Sequence, residues 1–132
     1  MTNPNDRILW LDYIVGLVVG LAVIMLCRLI SDIENLPVSI VGTMGVANLL
    51  YGSYSLFVTT RRGRSKKLIE ILAVANVIWL FICISILVCY WQQISIFGLI
   101  HVLGEGVYVA VLGLVEWQLR ERLSRTPLTN AG

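Results

Sequence analysis

The residues whose types could do chemistry gather on one apolar stretch. Between Ile94 and Trp117, His101, Glu105, Tyr108, Leu112 and Glu116 recur at spacings of 4, 3, 4 and 4, which is one face of a helix. His101 and Glu105 are one turn apart, so their side chains can meet. No Lys or Arg occurs at the depth of Glu105. Its carboxyl must therefore be protonated, hydrated, paired with His101 or bound to an external cation. An acid and an imidazole in that setting suit the holding of a proton or a small cation.

Three further stripes match this one. Asn48, Tyr51 or Gly52, Ser55 and Thr59 share a helical face, as do Asn76, Trp79, Cys83, Ile86 and Tyr90. Asp12, Gly16, Gly20 and Cys27 follow less regularly. By residue count Asn48, Trp79 and Glu105 fall at one middle depth, and Tyr51, Asn76 and Tyr108 in the next layer inward. Asp12 and Glu116 sit lower still. The Trp79 indole N–H needs an acceptor at that depth, and Glu105 or Asn48 can supply it. The expected ligand- or proton-binding set is Glu105, His101, Asn48, Tyr51, Tyr108, Asn76 and Trp79.

Other chemistries find little support. With one histidine, a metal centre would have two ligands of four and would have to recruit Cys83 or a tyrosine, and a haem would lack its second axial histidine. No metal or cofactor is expected. The three cysteines include no C-x-x-C pair. Cys27 and Cys89 both lie near one end of their stretches and could pair only if their Cα atoms came within about 7 Å. No Ser-His-Asp spacing, phosphate-cradling loop or cofactor fingerprint is present.

The elements that must position these residues follow from composition. Of 132 residues, 58% are hydrophobic and 14% charged. Soluble domains carry about 25% charged residues, and the mean hydropathy here is +0.84. A soluble globular protein, a disordered chain, a disulfide-framework protein and a groove-reading nucleic-acid binder are all excluded. The expected class is all-α: a single integral membrane domain, a four-transmembrane-helix bundle with spans at 8–30, 38–58, 68–90 and 94–117. Each is near the roughly 20 residues a crossing requires. Ser31 to Pro37 reads as a turn ending in a helix-starting proline. Tyr90-Trp91-Gln92-Gln93 divides the long uncharged stretch at headgroup level. Residues 59–67 form a basic loop, and 118–132 a tail. Period-two alternation is absent, which excludes barrel strands. The first span is too long, and too acidic at Asp12, for a signal peptide.

Nine of the ten Lys and Arg fall on the side shared by both termini and the central loop. That side is expected to be cytoplasmic, in a bacterial inner membrane. Trp10 and Trp117 would lie at the inner boundary, Tyr90 and Trp91 at the outer. Arg61, Arg62, Arg64, Lys66 and Lys67 are expected to contact anionic phospholipid headgroups, at about 1 kcal/mol each. Aromatics do not interleave with these charges, so nucleic acid is not an expected partner. Gly16 and Gly20 form a G-x-x-x-G pattern for close helix packing, within the bundle or across a homo-oligomer. Two spans align so that Asn48 meets Glu105 and Tyr51 meets Tyr108, a partial two-plus-two repeat.

Two functions fit these residues. The first is a bundle that binds or transports protons or a small polar or cationic ligand against the polar residues, with a homodimer helping to enclose the path. The second is a structural or accessory membrane subunit in which the same residues only fix helix register. A membrane-embedded enzyme ranks third.

Overall fold

A computed structural model of the chain describes residues 6–61 and 63–124. It is all-helical, with five helices among the described residues: α1 (Asp6–Met25), α2 (Cys27–Glu34), α3 (Val38–Thr60), α4 (Lys66–Tyr90) and α5 (Ile96–Leu123). Three of them, α1 from Arg7, α4 and α5, are long and apolar enough to cross a membrane. The 23 residues of α3 match them in length. Gly42, Gly45, Asn48, Gly52, Ser53 and Ser55 dilute its apolar content.

The first expected span is shorter than its apolar run. Helix α1 stops at Met25, and Leu26 leaves helical geometry at φ −106° and ψ 15° before α2 begins. The turn expected from Ser31 is mostly absorbed into α2. Reversal comes at Asn35, the left-handed residue (φ 53°), whose N–H closes on the Ser31 carbonyl. Asparagine tolerates that conformation better than most residues and ends helices in this way. The Ser31 hydroxyl donates to the Leu36 carbonyl and completes the reversal. Pro37 then leads into α3, fixing the first φ without requiring a donor. Helix α4 ends at Tyr90, and the Ser95 hydroxyl caps α5 by accepting from the Gly98 N–H at 3.1 Å. Helix α5 continues to Leu123, past the expected end at 117. Its last turns carry Arg120, whose Nε lies 3.3 Å from Glu70 on α4.

Helix α1 packs along α3 and α4 along α5, while the two pairs approach each other far less closely. Glycine makes the tight contact in the first pair. A Cβ at Gly20 would lie 2.6 Å from the Leu49 backbone nitrogen, and one at Gly52 would lie 2.6 Å from that of Leu17. The G-x-x-x-G pattern is thus used inside the chain. In the second pair Gly113 faces Asn76 and Ala73, and Gly106 faces Cys83.

Two apolar clusters pack within the bundle. One comprises Val23, Leu36, Val41, Met44, Cys83, Ile86 and Val102. The other comprises Leu9, Val58, Ile69, Leu72 and Leu123. The polar stripes lie between them. Large apolar side chains such as Val18, Leu50, Phe81, Val88, Val107 and Leu114 point outward, a surface suited to lipid rather than water.

Candidate functional site

The site is built at the junction of α2 with α5. The Ser95 N–H donates to the Glu34 carbonyl at 2.8 Å, and the Ser95 hydroxyl donates to the Ile33 carbonyl at 2.7 Å. Gly98 permits this approach, since a Cβ there would lie 2.9 Å from the Glu34 carbonyl oxygen. Docked in this way, the buried Glu34 carboxylate pairs with Nδ1 of His101. On the other side of the ring, His101 Nε2 is 3.5 Å from Glu105 Oε2, within ion-pair reach but longer than an ordinary hydrogen bond. Glu105 Oε1 accepts from Asn48 Nδ2 at 2.8 Å and from Trp79 Nε1 at 2.6 Å. One imidazole thus stands between two carboxyls, and only its doubly protonated form can donate to both. Because the carboxyls meet opposite ring nitrogens, they do not converge on a single ion. Among the described residues no group of three or more His, Cys, Asp or Glu is arranged to hold a metal.

A second layer lies deeper along the same helices. Asp12 Oδ2 accepts from the Tyr51 hydroxyl at 2.7 Å and from the Ser55 hydroxyl at 2.8 Å. Asn76 Nδ2 donates to the Tyr51 oxygen at 2.8 Å and to Glu116 Oε2 at 3.0 Å. All four long helices contribute, so these bonds tie the two pairs together where apolar contact is thin. A cavity of about 240 Å³ joins the layers, with Asp12, Asn48, Tyr51, His101, Glu105 and Tyr108 in its wall. A smaller one of about 160 Å³ lies between Asn48, Tyr51, Asn76 and Trp79. The buried Tyr108 hydroxyl and Glu105 Oε2 have no hydrogen-bond partner among the described residues.

The seven expected residues therefore divide. Glu105, His101, Asn48 and Trp79 meet in one layer, and Glu105 is the acceptor that the Trp79 indole requires. Tyr51 and Asn76 meet in the other. Tyr108 lines the cavity between them and hydrogen-bonds to neither. Glu34, Asp12, Ser55 and Glu116 belong to the site and were not in the expected set. Asp12, Ser55 and Glu116 stood on the polar stripes at the right register. Glu34 had only its position in the chain, in a segment expected to be a turn, and it is buried where α2 extends through it.

Arg64 is 3% exposed, and its Nη1 donates to the Thr59 carbonyl at 3.3 Å. It hooks the loop back onto the open end of α3. Arg61 is exposed beside the Phe57 ring, 5.3 Å from its centroid. Lys66 lies 3.4 Å from Glu121, and Lys67 is exposed. Arg62 and the tail from residue 125 lie outside the described residues. Cys27, Cys83 and Cys89 are free thiols, and Cys83 packs as a small apolar residue against Gly106.

Comparison with protein-family models, with curated proteins and with solved structures finds no match for this chain.

Proposed function

We propose that the chain is a four-span membrane bundle that carries protons or a small cation between its two buried carboxyl layers. The observation that carries this reading is the cavity of about 240 Å³ whose wall holds Glu105 and His101 at one end and Asp12 at the other, with Tyr108 between. Lining residues from α1, α3 and α5 give it acidic and hydroxyl groups and no Lys or Arg. That polarity favours a cation over an anion. Helix α3 is the fourth span. Its 23 residues reach about 35 Å, and its glycine- and serine-rich face is covered by α1, so it needs less apolar surface than its neighbours. Nine of the ten basic residues on one side support cytoplasmic termini in a bacterial inner membrane.

The second reading, a structural subunit with a locking seam, is favoured by one observation. Glu105 Oε1 already has two donors, Asn48 and Trp79. The two separate on transport. The purified protein is reconstituted in liposomes of phosphatidylethanolamine and phosphatidylglycerol that enclose a pH-sensitive dye, and a potassium diffusion potential is imposed. Proton entry above that of protein-free liposomes is expected. Entry equal to protein-free liposomes, with no sodium or potassium flux in its place, contradicts the carrier reading and favours the lock.

A further inference from the structure

We propose that the cavity lined by α1, α3 and α5 binds a small amphipathic organic ammonium ion, which enters sideways between α1 and α5 from the lipid. This deepens the carrier reading above by naming its cation, and it rests on that reading for transport but not for binding. Helix α1 packs on α3 and α4 on α5, whereas α1 barely touches α5. The cavity of about 240 Å³ lies on that loose edge, with Val15 and Val19 of α1 and Gly104 and Tyr108 of α5 in its wall. Gly104 is exposed, and a Cβ there would meet nothing within 4 Å. From Ile96, where α5 starts, the rise to Gly104 is about 12 Å. That depth lies inside a hydrocarbon layer about 30 Å thick. Val18, Leu103 and Val107, all exposed, flank these positions. The open side is therefore apolar at its rim and meets acyl chains rather than water.

The wall sets the chemistry of the ligand. Val15, Val19 and Val109 offer apolar contact, and no Lys or Arg lines the cavity among the described residues. Glu105 supplies the acid. Its side chain is 9% exposed, and its Oε2 receives no hydrogen bond among the described residues. A buried carboxyl oxygen without a donor suits an N–H group that brings a positive charge with it. Glu34 already holds Nδ1 of His101. An ammonium at Glu105 therefore displaces only the 3.5 Å contact of Nε2 and leaves the imidazole paired. The Tyr51 hydroxyl is committed to Asp12 and Asn76, while that of Tyr108 has no partner among the described residues. Both tyrosines line the cavity, and aromatic rings attract organic ammonium ions.

Other ligands fit this wall poorly. An alkali ion needs oxygen ligands on several sides, and the valines and glycines of the wall supply none. An anion would meet two acids, Asp12 and Glu105, and no base. The volume equals that of about eight waters at about 30 Å³ each. It has room for an amine carrying one ring, and it is smaller than the about 300–1,000 Å³ of pockets for drug-sized ligands.

Equilibrium dialysis tests this, with the protein in nanodiscs of phosphatidylethanolamine and phosphatidylglycerol and radiolabelled 2-phenylethylamine, an amine protonated at neutral pH, as the probe. Saturable binding above that of empty nanodiscs is expected. Excess 2-phenylethanol or 3-phenylpropionate, its neutral and anionic counterparts, is expected not to displace it. Glu105→Gln is expected to weaken binding by more than about tenfold. Gly104→Leu grows a side chain into the open side and is expected to do the same. Gly42→Leu, at another glycine with open space around its Cβ, is expected to bind as the wild type does. Absence of saturable binding overturns the site, as does displacement by 2-phenylethanol. So does wild-type affinity in a folded Glu105→Gln or Gly104→Leu protein, or an equal loss in Gly42→Leu. If either variant fails to fold, Tyr108→Leu removes one ring, with an expected loss of about tenfold, and unchanged affinity overturns the assignment. Liposome flux separates this site from the carrier reading. Phenylethylamine binding without proton or amine transport refutes the carrier and leaves the site standing. Proton entry without phenylethylamine binding refutes the site and leaves the carrier standing.

Discussion

Glu105 is held by two donors on one oxygen and faces His101 with the other, so its two oxygens have separate duties. Oε1 braces α3 and α4 against α5, and Oε2 is turned to an ionisable group. Removing the side chain and altering its charge should therefore have different effects. Glu105→Ala strands the Asn48 amide and the Trp79 indole without an acceptor, at a cost of about 1–3 kcal/mol for each buried polar group left unpaired. Glu105→Gln retains a carbonyl to accept from both. Thermal unfolding in detergent is expected to show a clear drop in Tm for the alanine variant and little change for the glutamine variant. The layer containing Asn48, Trp79 and Glu105 was legible because helix rise converts residue count into depth, and depth depends little on how the helices rotate. Glu34 was not legible. Its burial depends on Ser95 and Gly98, more than 60 residues away, accepting the end of α2, and no local pattern reports such a contact.

The helices pair according to where glycine allows backbones to touch. Gly20 and Gly52 bring α1 and α3 so close that a Cβ at either would lie 2.6 Å from backbone nitrogen. By contrast, a Cβ at Gly42 meets nothing within 4 Å. Gly20→Ala is expected to destabilise by about 1–3 kcal/mol through overpacking. Gly42→Ala is expected to be neutral or to stabilise by up to about 1 kcal/mol, from helix propensity alone. Thermal unfolding of the two variants side by side checks this, and equal shifts would mean that glycine does not set the α1–α3 distance. Helix ends were legible where interfacial aromatic and amide residues or a run of charge intervened, as after Tyr90 and near the basic loop between α3 and α4. They were not legible at Leu26, an apolar residue in an apolar run, where the break serves the docking of α2 and leaves no mark in composition. The same holds for the return of Arg64 to the Thr59 carbonyl.

For the whole molecule, two apolar clusters and the carboxyl layers describe a bundle with a polar interior. Such an interior serves as a lock if its groups only accept hydrogen bonds, and as a path if they also exchange protons. Composition made the membrane class and the helical architecture legible, because 14% charged residues cannot coat a soluble surface. The joining of two acid layers by one cavity was not legible, since it depends on the spacing between helix pairs. The most direct test of the path is the liposome proton-entry assay applied to Glu105→Gln, a variant that keeps the hydrogen bonds of the carboxyl and loses its ability to ionise. The account predicts entry at the protein-free rate, with a Tm close to that of the wild type. Wild-type entry rates in a stably folded Glu105→Gln protein would contradict it.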